Sequence, residues 1–188
     1  MRKNFFIFLL LAIAGIMVTG CSSCQSENKK QDVVAELNVD NVISTDREWM
    51  FLNADENYKW YETSVTLKNY LDEENDGGVE AVTDVFQTND PKVFIISHDS
   101  EGDANVEIKC GFYVDDFEMD SVVIGFKDAF DKLMEANYPK PHSRQCVLRK
   151  QVGPKPCNAQ YIFGNTREQL YVDAVTGDVS DINPAFGE

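Results

Sequence analysis

Six short runs rich in β-branched and aromatic residues, each closed by turn formers, constrain this chain more than any other feature. They fall at 79–87, 92–98, 106–115, 144–152, 159–164 and 168–173. Runs of this length and composition are the signature of strands. Asn89-Asp90-Pro91, the stretch 99–105 and Gly153-Pro154-Lys155-Pro156 supply the turns. Ahead of the second trio, Val122, Phe126, Ala129, Phe130 and Leu133 recur at helical spacing behind the N-cap pair Asp120-Ser121, and Pro139 and Pro141 close the element. A helix is expected over 121–138, with Gly125 costing it about 1 kcal/mol relative to alanine. Ahead of the first trio, Trp60, Ser64, Leu67 and Leu71 form a similar stripe within 58–75. The strict alternation of Tyr61, Thr63, Val65 and Leu67 fits a strand there as well.

Read this way, a helix followed by three strands occurs twice. The expectation is an α+β fold of tandem helix-plus-antiparallel-meander units. Phe112-Tyr113-Val114-Asp115 and Leu170-Tyr171-Val172-Asp173 would then be equivalent third strands. One helix on a three-stranded meander covers a single sheet face, so two copies sharing a core is what so short a chain needs.

The first 20 residues stand outside that fold. Arg2 and Lys3 precede an uncharged apolar run from Phe5 to Val18, which is the layout of a secretory signal. As a helix this run would rise roughly 21 Å, short of the ~30 Å hydrocarbon core. Val18-Thr19-Gly20-Cys21 resembles a lipobox, the cleavage site of bacterial lipoprotein precursors. The resemblance implies cleavage before Cys21, lipid on Cys21, and a place in the cell envelope on the periplasmic or outer surface. Removing 20 of the 188 residues leaves 168 and takes away two basic residues, so the net charge moves from −15 to −17. Such a surface repels nucleic acid. The expected attachment is to membrane, through lipid on Cys21. The expected organisation is a signal peptide at 1–20, a lipidated cysteine and flexible tether at 21–45, a first helix-plus-sheet unit at 46–118 and a second at 119–188.

Leu170-Tyr171-Val172-Asp173-Ala174-Val175-Thr176-Gly177-Asp178-Val179 resembles the end of a PepSY domain, in which a strand runs into a turn of this composition. The resemblance covers roughly 120–182. It implies the fold of β-lactamase-inhibitor proteins, with tandem helix-plus-sheet repeats, and an exported module that binds another protein or restrains a peptidase. In the turn itself, Asp173 is placed to accept backbone N–H groups and Gly177 to supply a positive φ. The first copy lacks this turn.

Few residues are suited to chemistry. Four cysteines remain beside Cys21. Cys24 lies in the tether, and export permits one disulfide among Cys110, Cys146 and Cys157. His142 and Cys146 form the one conceivable nucleophilic pair. Asp72, Glu74 and Asp76, with Gly77, follow the opening of a calcium loop, but Thr83 stands where a bidentate glutamate belongs. This motivates an alternative, a calcium-dependent binding or adhesion module. Lys140, His142, Arg144 and Lys155 lie in proline-stiffened basic loops and are the expected contact with a partner. The reading favoured by the sequence is a non-catalytic binding module with no cofactor, whose partner is another exported protein.

Overall fold

The computed structural model describes residues 37–187 apart from 102, 103, 114, 115 and 120. The signal sequence, Cys21, Cys24 and the tether up to residue 36 lie outside the described residues. Among the described residues no helix is long and apolar enough to cross a membrane.

The protein is a mixed fold of helix and antiparallel sheet. The elements run α1 (Val39–Asn53), β1 (Lys59–Leu67), β2 (Val79–Gln87), β3 (Lys92–Asp99), β4 (Ala104–Cys110), β5 (Asp116–Phe117), α2 (Phe126–Glu135), β6 (Gln145–Gln151), β7 (Gln160–Gly164), β8 (Gln169–Asp173) and β9 (Val179–Ser180). The strands form one sheet in the order β4-β3-β2-β1-β6-β7-β8-β9, and β5 pairs with β6. All pairings are antiparallel. The central pair, β1 with β6, joins residues on either side of the boundary expected at 118/119, and the described residues form one compact unit.

Five of the six strand runs keep their places within one or two residues. The helix expected over 58–75 does not form: β1 occupies 59–67 instead. Thr63, Val65 and Leu67 alternate into the core, and β1 pairs on both sides, with β2 and β6. Alternation at period two buries one face of a strand, and two ladders satisfy its backbone, so the strand prevails over a helical stripe that includes Ser64. A bulge at Tyr61 carries Trp60 onto the same face.

The first helix lies earlier, and its first seven residues, 39–45, fall in the stretch expected to be tether. Asn38 caps it, its Oδ1 accepting the Asn41 N–H at 3.0 Å. Val39, Ile43, Asp46 and Met50 form its buried stripe. The second helix begins at Phe126 rather than 121, and Gly125 is its N-cap. Glycine carries no capping side chain, so the cap comes from α1: Asp40 Oδ1 accepts the Phe126 N–H at 3.0 Å. A Cβ on Gly125 would stand 2.6 Å from Asp40 Oδ2. The glycine that looked like a cost to the helix is what lets α1 reach its end. Phe126, Phe130 and Leu133 then pack on Tyr161 and Phe163, with Phe130 and Phe163 edge to face at 6.2 Å.

The match between 112–115 and 170–173 does not mark equivalent strands. Residues 170–173 lie in β8, the third strand after α2, whereas the third strand after α1 is β3. Phe112 and Tyr113 follow β4 as loop. Tyr113 folds back over the open sheet face, its OH donating to Glu62 Oε2 at 2.8 Å and its N–H to Gln87 Oε1 at 2.7 Å.

Candidate binding cleft and buried acid cluster

The two faces of α1 meet the sheet differently. Its exposed side borders a cleft of about 440 Å³. Trp60 and Tyr58 from the start of β1, Tyr161 from β7, Val122 from the segment before α2, and Ile43 and Phe51 of α1 line it. Arg47 enters from the helix, its guanidinium 5.4 Å from the Trp60 ring centre and its Nε donating to the Tyr58 hydroxyl at 3.2 Å. A cation over an aromatic face is held by the ring quadrupole. Asp40, Ser44 and Glu48 add a polar, acidic rim. Phe51 is 55% exposed at the lip. Tyr161 is fixed by its hydroxyl, which donates to Ile124 O at 2.8 Å. The cleft is concave, aromatic and sparsely polar, and its volume falls within the range of ligand sites.

Beneath α1 the stripe carries a carboxylate where an apolar residue would serve. Asp46 is 3% exposed and both its oxygens meet His98 Nε2 of β3, at 2.9 and 3.0 Å. Asp84 of β2 is fully buried; its Oδ1 accepts the Thr63 hydroxyl of β1, and Thr63 Oγ1 accepts Trp60 Nε1–H at 3.2 Å. Asp84 Oδ2 has no hydrogen-bond partner among the described groups, and the Asp46 carboxyl stands beside Asp84. Two buried carboxyls side by side resist ionising together. Burial pushes the Asp46 carboxyl up to about 6. Burial, with Asp46 beside it, pushes Asp84 well above the usual carboxylate range. The result is a polar chain running inward from the cleft floor: Trp60 donates to Thr63 and Thr63 to Asp84, with Asp46 beside Asp84 and His98 closing the far side.

Sequence reasoning named none of these residues as a site. Asp46 sits three residues past Ile43 and four before Met50, and that helical spacing was the available signal. A charged residue in the stripe concealed it.

The expected site residues scatter. His142 and Arg144 do come together, beside Tyr70 and away from the cleft. His142 stacks on Tyr70 with ring centres 4.0 Å apart, and its Nδ1 meets Asp72 at 3.0 Å. Arg144 lies 5.9 Å from the same ring and pairs with Glu80 at 2.8 Å. Lys140 is elsewhere, its Nζ donating to Ala136 O and Tyr138 O just past the C-terminus of α2, where Ala136 O also accepts the Tyr138 N–H. Lys155 belongs to the C-terminal segment, its Nζ 3.4 Å from Gly187 O. The four residues therefore do not make one basic contact surface.

The calcium-loop expectation is corrected by the loop's own bonding. Asp72 is turned to His142, and Asp76 Oδ1 accepts the Gly78 N–H at 3.0 Å in a local turn. Glu74 is exposed, and no group of three or more His, Cys, Asp and Glu that could hold a metal gathers among the described residues. Nor do His142 and Cys146 form a nucleophilic pair. Cys146 is fully buried in β6 and burial raises its thiol well above the ordinary range, while His142 is an exposed partner of Asp72. The nucleophile is the thiolate, which this site disfavours. The expected disulfide is also corrected: Cys110, Cys146 and Cys157 are all free. Cys110 lies on the edge strand, four strands from Cys146, or roughly 19 Å at the usual strand spacing, against the ~5.5 Å that a bridge needs.

The Asp173 turn has the geometry its composition suggested. Asp173 Oδ1 accepts the N–H groups of Val175 and Thr176 at 2.8 and 2.9 Å, and Gly177 has φ +78°. A Cβ there would meet Lys132 Cε at 2.6 Å and Ile124 Cδ1 at 2.7 Å. The glycine thus serves both the turn and its packing on the α2 region. No protein-family model, curated protein or solved structure matches the chain.

Proposed function

We propose that this protein is an exported, lipid-anchored binding module of PepSY-like build, and that its cleft beside α1 receives a segment of another exported protein without chemical turnover. The observation that carries the reading is the cleft itself. Aromatic walls rigid enough to need little ordering, one cation held on Trp60, and an exposed phenylalanine at the lip are features of a contact site. The acidic rim of Asp40 and Glu48, on a strongly acidic chain, favours a segment with an apolar side chain flanked by basic residues. The PepSY-like build is supported by the order of elements. A helix followed by an antiparallel meander occurs twice, and the first strands of the two runs, β1 and β6, are neighbours at the sheet centre. The Asp173–Gly177 turn adds to that support. Export and anchoring rest on the Arg2–Cys21 sequence.

A photoreactive residue replacing Ser44 in the full chain, in native membranes, tests the contact. The expected result is an adduct with an exported protein that disappears with Phe51→Asp or Arg47→Ala. An adduct indifferent to both changes would sink the cleft reading. Separately, Cys21→Ala should abolish incorporation of labelled palmitate, and persistent labelling would refute the anchor.

A further inference from the structure

The sheet ends at β4, and that edge is exposed along its whole length. Every residue from Ala104 to Cys110 is open to solvent, including Val106 at 39% and Ile108 at 56%. Long apolar edges pair with other strands unless something blocks them. The residues of β4 carry no proline and no bulge; the register with β3 runs unbroken from Lys92↔Cys110 to His98↔Ala104.

The direction of the free backbone groups follows from one bond. Gly111 N donates to Pro91 O at 2.7 Å, in continuation of that register. Antiparallel ladders alternate, so the odd-numbered residues of β4 bond to β3 and the even-numbered ones turn N–H and C=O to the open edge. The side chains alternate in the same rhythm. Val106 and Ile108 lie opposite Ile96 and Phe94, on the face that α1 partly covers, and Glu107 and Lys109 lie on the other face. Glu107 and Lys109 stand 3.5 Å apart.

We propose that β4 is a homodimer edge, pairing antiparallel with β4 of a second copy about a two-fold axis through Ile108. The outward-facing even residues permit few registers, and charge selects among them. Centring on Glu107 or on Lys109 would set like charges against each other. Centring on Ile108 places each Glu107 opposite the other copy's Lys109, twice by symmetry, at the closely spaced non-hydrogen-bonded positions. On the opposite face Ile108 meets its own counterpart and Val106 meets Cys110. The edge is complementary to itself in backbone direction, charge and apolar pattern, as an isologous interface requires. The axis is perpendicular to the sheet, so the α1 helices of both copies lie on one face of a continuous sheet.

Sedimentation velocity of the full chain in detergent tests this. The parent should dimerise. Glu107→Lys should weaken the dimer about tenfold or more, because it opposes like charges twice, and Glu107→Lys/Lys109→Glu should restore it. Both side chains are exposed, so circular dichroism should be unchanged. In a Cys110→Ser background, Glu107→Cys and Lys109→Cys chains expressed together should form a disulfide-linked dimer in the envelope, and neither should do so alone. A parent that stays monomeric to about 100 µM, a charge reversal without effect, or equal crosslinking by one variant alone would overturn the proposal.

Discussion

Under α2, the buried stripe reads Phe126, Ala129, Phe130 and Leu133, set on Tyr161 and Phe163. Under α1, the corresponding stripe reads Val39, Ile43, Asp46 and Met50, and its middle member meets His98 and Asp84 instead of a ring. Both helices lie on one sheet and precede a meander, yet one is docked by apolar area and the other partly by buried carboxyls whose pKa values are raised. Apolar contact is non-directional and depends little on pH. A buried carboxyl pair is directional, costs desolvation and is disfavoured when both members ionise. The comparison teaches that the α1 half is the conditional one.

The largest expected effect tests the apolar half. Phe130→Ala should cost about 3–5 kcal/mol in chemical denaturation, since it removes a ring that is 2% exposed and packed on Phe126 and Phe163. A loss below about 1 kcal/mol would mean that α2 is not held by its stripe.

Gly177→Ala comes next, because it demands both a strained φ and room that Lys132 and Ile124 occupy. A cost of about 1–3 kcal/mol is expected, again from denaturation midpoints. A neutral result would remove the turn from the α2 contact.

A change of opposite sign sharpens the α1 half. The folded state raises Asp46 to about 6 and also raises Asp84 well above the usual carboxylate range. It therefore binds protons that the unfolded chain has released above about pH 4. Stability from this cluster is fully present below the unfolded carboxyl range and falls as pH rises through about 6. Asp84→Asn supplies a neutral donor to Asp46 and an acceptor to Thr63 without a proton to retain. It should raise the denaturation midpoint at pH 7 relative to the parent and lose that advantage near pH 4. An equal shift at both values would contradict the raised carboxyls. The smallest effect belongs to the exposed side of α2, where Lys127→Ala should stay within about 0.5 kcal/mol despite its pairing with Asp131.

Legibility in the sequence followed the same divide. The α2 stripe and five strand runs could be read because apolar side chains recur at the period of their element. The α1 helix was missed because Asp46 interrupts its stripe, and its partners lie 38 and 52 residues away at Asp84 and His98. Strand β1 was ambiguous because Trp60, Ser64, Leu67 and Leu71 imitate a helix, and the bulge at Tyr61 shifts the alternation. The cleft was invisible for a related reason: Arg47, Trp60 and Tyr161 come from three elements, and no local spacing links them. The basic loops drew attention as the sparse positive charge of an acidic chain, but Lys140 and Lys155 are spent on backbone carbonyls.

The most direct test of the difference between the halves is a ¹³C titration of the aspartate carboxyls, with Asp46→Asn and Asp84→Asn assigning the two signals. The account predicts an Asp84 carboxyl with its midpoint well above the usual carboxylate range and an Asp46 carboxyl with its midpoint near 6. Two midpoints near pH 4 would show both groups solvated or separately paired, and would contradict the buried, raised carboxyls under α1.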